Sequence, residues 1–245
     1  MKNKSNLINQ NIQNLTSLWQ EASLFSNSFI RSPLFNYTAI EDMNWPNRLW
    51  FNKDLDQETI LLVKNKILSD FPNLIIPYWD IYDSNSNQLL EQNGFIKLFE
   101  QIGMSLELHN SFEVQTGLKI VVVSTKDEAV TWSKLFTSSF GYEIHPNIIT
   151  NTNKTINYHI AFQHDKAIGT AITYQTNKVI GIHAMGIVPE ARRNGYADQL
   201  MKLLINQSLK NDIEHIVLQA SNIGLDLYKK IGFKEQFKIQ NYRFT

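Results

Sequence analysis

The 245-residue sequence predicts a mixed α/β (α+β) fold, and three observations carry that prediction. Segments of helical and of strand periodicity alternate along the chain. The runs Ile156 to Gln163, Ala167 to Tyr174 and Val179 to Val188 lie close together and read as an antiparallel meander. The composition, with 43% hydrophobic residues and 23 basic against 23 acidic side chains, is that of an ordinary globular protein. Zero net charge supplies no overall field for nucleic acid or an anionic membrane. The lack of cysteine excludes disulfides, a thiolate nucleophile and cysteine-ligated metals. The stretch MKNKSNLINQNIQNL lacks the continuous apolar segment of a signal peptide, and no run approaches the roughly 20 apolar residues of a membrane span. A cytoplasmic location is therefore expected, with no metal, no nucleic-acid partner and no membrane partner.

Ile8, Ile12, Leu15, Trp19 and Ala22 share one helical face, so the chain opens with an amphipathic helix. Thr38 to Asp42 and Arg48 to Phe51 read as short strands around a turn at Asn44-Trp45-Pro46-Asn47. Asp56 precedes a helix over Gln57 to Asp70, stopped by Pro72, and Leu74 to Trp79 returns to strand. A short helix around Gln88 to Gln92 ends at Asn93-Gly94 before strand-like Phe95 to Leu108. A polar stretch then marks a division into residues 1–112 and 113–245. Beyond it, Leu118 to Val123 is a strand, and Thr125 to Glu128 matches a capping box that opens a helix ending at Gly141. The meander follows, then a helix carrying Tyr196, Leu200 and Leu204, the strand Ile213 to Leu218, a helix to Ile231, and a last strand from Phe233. The segment Gln88 to Phe95 echoes Asp226 to Phe233, each a short helix ending in Gly-Phe before a strand. The early aromatic residues Trp19, Phe25, Phe29, Phe35, Trp45 and Trp50 are expected in the core.

The segment from Gly186 to Ala197 runs from a strand through a tight turn into a helix. Unpaired N–H groups at the start of that helix, its dipole, the small residues Gly195 and Ala197, and the charges of Arg192 and Arg193 together suit an anion. A turn glycine flanked by surface arginines would give the same letters, so the neighbouring segments must decide.

Those segments resemble the GNAT superfamily of acyl-CoA-dependent N-acyltransferases. Arg192, Gly195 and Ala197 match the family's pyrophosphate loop. Gly186-Ile187-Val188-Pro189 approximates its preceding strand end, and Leu227-Tyr228 with Gly232-Phe233 matches its second motif. The resemblance spans about Leu118 to Thr245 and implies a GNAT-like, mixed and mostly antiparallel central sheet flanked by helices. The smaller α/β N-terminal half resembles a degenerate copy without the cofactor loop. Shaping the acceptor pocket and mediating a homodimer are its two candidate roles.

By this resemblance the chain is an N-acetyltransferase that moves an acetyl group from acetyl-CoA directly to a primary amine of a small molecule or peptide. The backbone from Arg193 through Asn194, Gly195, Tyr196 and Ala197 to Asp198 would cradle the pyrophosphate. The strand at Met185, Gly186 and Ile187 would meet the pantetheine arm. Tyr228 occupies the family's general-acid position. His183 shares a strand face with Gly181 and Met185 and is the first candidate base, ahead of Glu190, His145 and His159. Asn222 opens the last helix, as a coenzyme A contact or simply as its N-cap. Tyr142, Glu143 and His145 offer polar contacts for the acceptor. The competing reading is a non-catalytic CoA-binding or protein-interaction module with a relic acyltransferase fold.

Overall fold

The computed structural model describes residues 2–66, 68–114, 117–209 and 213–244. Helix α1 (Lys2–Ser23) forms on the expected periodicity, and Leu15, Leu18, Trp19 and Ala22 bury into the first core. The first half continues with β1 (Phe29–Arg31), β2 (Phe35–Thr38), β3 (Arg48–Phe51), α2 (Gln57–Lys66), β4 (Ile76–Asp80), α3 (Asn87–Gln92) and β5 (Phe95–Glu107). The second half begins with β6 (Leu118–Val122), α4 (Lys126–Phe140), α5 (Pro146–Thr152), β7 (Asn157–Gln163), β8 (Lys166–Thr176) and β9 (Val179–Ile187). It ends with α6 (Tyr196–Ser208), β10 (His215–Ala220), α7 (Leu225–Ile231) and β11 (Lys234–Phe244).

Eight strands form one sheet in the order β4-β11-β5-β10-β9-β8-β7-β6. Every neighbouring pair is antiparallel except β9 with β10. The fold is thus the mixed, mostly antiparallel sheet flanked by helices that the resemblance implies. One core lies beneath α1, α4 and α5 and joins Trp19, Trp50 and Trp79 to Trp132, Phe136 and Tyr158. A second is gathered under α6 and contains Ile180, Ile182, Leu200, Met201 and Leu204. A third packs α2 and α3 through Ile60, Val63 and Leu90 against Tyr78, Phe95 and Tyr242. Helix α4 starts at the expected capping box, where Thr125 accepts from the Glu128 amide, and ends at Gly141 with φ 79°.

The two halves repeat each other. The succession β1-β2-β3-α2-β4-α3-β5 is matched by β7-β8-β9-α6-β10-α7-β11. The parallel pairing of β9 with β10 has a counterpart in the parallel bridge of Arg48 on β3 to Ile75, just before β4. Each Gly-Phe echo delivers its strand to the same place near one edge of the sheet, where β5 and β11 run antiparallel from Phe95 opposite Phe244 to Ser105 opposite Lys234. As a result β11 lies between β4 and β5, and β5 lies between β11 and β10. The eight-stranded sheet runs across residues 112/113, with β4 and β5 on one side of that point in the chain and β6 to β11 on the other.

Some local expectations are corrected. Thr38 is the last residue of β2, and residues 39–42 turn away instead of continuing as strand. Asn47 takes the ladder's place, accepting from the Ile40 amide at 2.7 Å and donating to the Ile40 and Met43 carbonyls at 2.8 Å. Helix α2 is described to Lys66 rather than reaching Asp70, whose segment is a turn; Ile67 lies outside the described residues. Residues 146–152, to which the sequence pattern assigns no element, form α5, with Pro146 at its first position and His145 as its cap. Of the early aromatics, Trp19, Phe35, Trp45 and Trp50 are buried, whereas Phe25 is exposed.

Candidate active site

The ladder between β9 and β10 holds only from Val179 to Gly181, while β10 continues alongside β5 to Ala220. From Ile182 onward the two parallel strands diverge, which opens a cleft along the β10-facing edge of β9. On its other edge β9 bulges. The register with β8 shifts between Thr170 opposite Gly186 and Ile172 opposite His183, and Ala184 sits at φ 49°. The Thr170 hydroxyl donates to the Ala184 carbonyl at 3.0 Å and replaces the ladder bond that the bulge gives up. The Val188 amide donates to Ile168 on β8, so strand alternation turns the Ile187 amide toward the cleft. Gly186 is required for close approach, since a Cβ there would stand 2.6 Å from the Phe140 ring.

After β9 the chain makes a short 3-10 turn at Pro189–Ala191 and enters α6 through two residues of positive φ, Arg193 at 64° and Gly195 at 77°. Successive amides in such an alternating conformation form a concave set of donors. No side chain caps α6, and the space above Gly195 is open, with nothing within 4 Å of a Cβ placed there. The two arginines do different things. Arg192 donates through Nε to the Ile187 carbonyl and through a terminal nitrogen to the Ser139 carbonyl, both at 3.0 Å, tying the loop to β9 and α4. Arg193 makes no hydrogen bond or ion pair among the described residues and is exposed. Asn194 folds back onto the Ala191 and Arg192 carbonyls. Asp198, in the first turn, is neutralised by Lys202 at 2.7 Å.

The equivalent corner of the first half is built oppositely. Between β3 and α2, Asp56 accepts from the Thr59 amide at 2.8 Å and pairs with Lys53 at 2.7 Å. The Lys53 ammonium, with the Thr59 hydroxyl and amide, holds the Asp56 carboxyl down at about 2, so an ionised carboxylate stands where an anion would dock.

Tyr228 lies one turn into α7 with its ring edge-on to Phe233 at 5.8 Å. Its hydroxyl has no hydrogen bond among the described residues, and burial pushes its pKa up to about 12. Met185, Tyr196, Ala197 and Tyr228 all pack against the same core cluster, so bulge, loop and α7 converge on one region. Asn222 does not open α7: Gly224 is the N-cap, and Asn222 is exposed in the preceding turn. Capping therefore does not account for it.

His183 is enclosed. Its Nδ1 faces Gln219 Oε1 and its Nε2 faces Asn14 Oδ1, each at 3.0 Å. Both amides are oriented by main-chain anchors. Asn14 donates to the Tyr174 carbonyl, while Asn11 donates to the Met104 carbonyl and accepts from Gln219 at 2.7 Å. Neither ring nitrogen presents a free lone pair to the cleft. Burial drives the His183 pKa down to about 4, against the opposing pull of Gln219. Asn11 and Asn14 were not singled out in the sequence, although two amides three residues apart on the buried face of α1 were a readable signal.

The other candidate bases sit elsewhere. His145 caps α5 by accepting from the Asn147 amide, and Glu190 is exposed beside the 3-10 turn. His159 is buried with Nε2 on Thr173 and Nδ1 unpartnered, and burial lowers its pKa to about 4. Among the described residues no three His, Asp or Glu side chains gather as metal ligands, and no helix is long and apolar enough to cross a membrane.

A splayed parallel strand pair, a bulged strand and an uncapped helix behind a left-handed loop are the architecture of the GNAT class of acyltransferases. Residues 123–243 match the family model described as an acetyltransferase (GNAT) domain, and the C-terminal half of this chain is such a domain. The whole chain is similar in fold to a GCN5-related N-acetyltransferase from Kribbella flavida, at 12% identity over 91% of this chain and 93% of that one, with a TM-score of 0.69. It also resembles one from Sphaerobacter thermophilus, at 15% identity, 86% and 76% coverage and a TM-score of 0.65. A GCN5-related N-acetyltransferase-like protein from Streptococcus suis gives 13%, 87%, 85% and 0.56. These likenesses extend through the first half as well. No curated protein is similar enough in sequence to match.

Proposed function

We propose that the chain is an N-acetyltransferase that transfers an acetyl group from acetyl-CoA directly to a primary amine of a small molecule or peptide. The observation that carries this reading is the uncapped N-terminus of α6, open above Gly195 and placed directly after the cleft between β9 and β10. The amides from Arg193 to Asp198 hold the pyrophosphate, Arg193 adds unpaired charge, and Arg192 fixes the loop. The cleft-facing backbone of Met185 and Ile187, with Gly186 between them, aligns the pantetheine arm and polarises the thioester carbonyl. Asn222, exposed in the turn before α7, is assigned to the cofactor.

In the transfer the amine nitrogen bonds to the acetyl carbonyl carbon and the carbon–sulfur bond breaks. The surplus proton on nitrogen leaves to water, and the thiolate is protonated. Tyr228 supplies the donor to sulfur. With its pKa near 12, complete transfer to a thiolate of ordinary pKa near 8.5 is uphill by roughly 5 kcal/mol. Tyr228 therefore acts mainly by donating a hydrogen bond to the developing thiolate. His183, with both nitrogens engaged, is assigned to positioning α1 on β9 rather than to accepting the amine proton. Residues 113–245 carry the cofactor site, and residues 1–112 supply the acceptor side.

Calorimetric titration of acetyl-CoA and CoA into the wild type and a Gly195→Glu variant tests the reading. Space is open at Gly195 but its φ of 77° strains any side chain by about 1 kcal/mol, so a Gly195→Ala control carries the strain without the charge and the difference between the two variants reports the carboxylate. Binding by the wild type that weakens at least about 100-fold in Gly195→Glu is expected. A wild type that binds neither ligand, or one that binds both but releases no thiol with any amine, overturns it.

A further inference from the structure

Arg48 on β3 is only 8% exposed, yet no carboxylate lies within ion-pair distance of it among the described residues. One guanidinium N–H donates to the Asn47 carbonyl at 2.8 Å, and the group packs over the Trp19 ring at 5.9 Å. A guanidinium stays charged in proteins, and a buried charge without a counter-ion is costly. Arg48 lines a cavity of about 820 Å³, large enough for a small metabolite, whose wall also includes Tyr142, Phe99 and Arg243. A chain of packed rings joins the Tyr142 wall of the cavity to the bulged strand β9. Tyr142 meets Phe136 edge-on at 5.0 Å, Phe136 stacks on Phe140 at 4.5 Å, and Phe140 lies against Gly186 of the bulged strand.

We infer that this cavity is the acceptor subsite and that it selects an amine bearing a carboxylate, of the amino-acid type, whose carboxylate pairs with Arg48. This rests on the reading of the chain as an acyl-CoA-dependent transferase. The planar fork of a guanidinium matches a carboxylate bidentately, and the Tyr142 hydroxyl on the same cavity wall is a second donor. Glu41, Asp42 and Asp70 line the same cavity, so a zwitterion is favoured there over a simple anion. On this assignment the first half, which lost a cofactor corner, contributes the residue that recognises the acceptor.

The experiment has two arms. Thiol release from acetyl-CoA is measured with the L-amino acids and their amides, in the wild type, Arg48→Met and Arg48→Lys. The best amino acid is expected to exceed its amide in kcat/KM by at least about ten-fold, and Arg48→Met to abolish that preference through KM, with CoA affinity unchanged. Arg48→Lys should retain part of it. In the second arm N-acetyl-amino acids and their amides are titrated alone, with binding of the acids expected to weaken at least about ten-fold in Arg48→Met. Arg48→Met should melt no lower than the wild type, because the replaced charge has no partner. Amides used as well as acids, or a preference that survives Arg48→Met, overturns the subsite and leaves the transferase reading standing. If acetyl-CoA does not bind at all, the transferase reading falls, and the direct titration still decides whether Arg48 holds a carboxylate.

Discussion

Replacing Arg192 with Ala is expected to lower stability and cofactor affinity together, whereas replacing its neighbour Arg193 should lower affinity alone. Arg192 holds two carbonyls at 3.0 Å, one at the end of β9 and one at the end of α4. Bonds of a charged donor contribute about 1.5–3 kcal/mol each when buried, but this guanidinium is exposed, so the pair is worth about 1–2 kcal/mol in all. For a chain of this size that corresponds to a fall in Tm of roughly 2–8 °C. Arg192→Lys does not restore it, because one ammonium cannot bridge both carbonyls. Arg193 pays a conformational penalty at φ 64° and bonds to nothing described, so Arg193→Gly should raise stability by about 1 kcal/mol. Its lost charge should weaken CoA binding about three- to ten-fold at low salt, an effect screened near 0.5 M salt. Thermal unfolding and calorimetric titration of CoA at low and high salt separate the two. An Arg192→Ala protein that melts with the wild type, and whose affinity loss disappears in salt as that of Arg193→Gly does, would refute the division of roles.

Tyr228→Phe should reduce kcat by about 10- to 100-fold while leaving CoA affinity within about two-fold, as steady-state kinetics with parallel titration would show; equal loss in both would make the ring, not the hydroxyl, the contributor. At Gly181 a Cβ would lie 1.9 Å from Asn14 Oδ1 and 2.2 Å from His183 Nε2, so Gly181→Ala should destabilise by about 2–4 kcal/mol in urea unfolding, and a neutral result would mean α1 is not locked to β9 there. His159 titrates near 4 when folded and 6.5 when unfolded, so its contribution is complete above pH 6.5 and is lost as pH falls toward 4, to a limit of roughly 3 kcal/mol. His159→Gln should remove about half of the slope in that window, the rest belonging to His183, and an unchanged slope would remove His159 as a cause.

What could be read from the sequence was what the chain writes locally. The capping box at Thr125 to Glu128, the positive-φ stop at Gly141 and the alternation of β7 to β9 need only a few neighbouring residues, and all appear where expected. The loop from Arg192 to Ala197 is equally local, although its letters could not distinguish an arginine that ties carbonyls from one that stands free. The sequence has Asn222 open the last helix, as a coenzyme A contact or as its N-cap, but the helix begins three residues later under Gly224. Long-range partners were illegible. Asn11 meets Met104 and Gln219 across 93 and 208 residues, and nothing near residue 11 encodes them. The solitary Arg48 is the same case, since a buried arginine is known only once its surroundings are.

The interleaving of β4, β5, β10 and β11 bears on how such a chain can change over time. Separating the copies at residue 112 would strip β11 of both neighbours, β4 and β5, and leave β10 with β9 alone. Neither half can therefore be discarded, because its strands complete the sheet of the other. The backbone pairing holds the first half in place whatever its loops do. Mutation can reshape the loop of residues 39–47 there without touching the strand pairs that close the sheet.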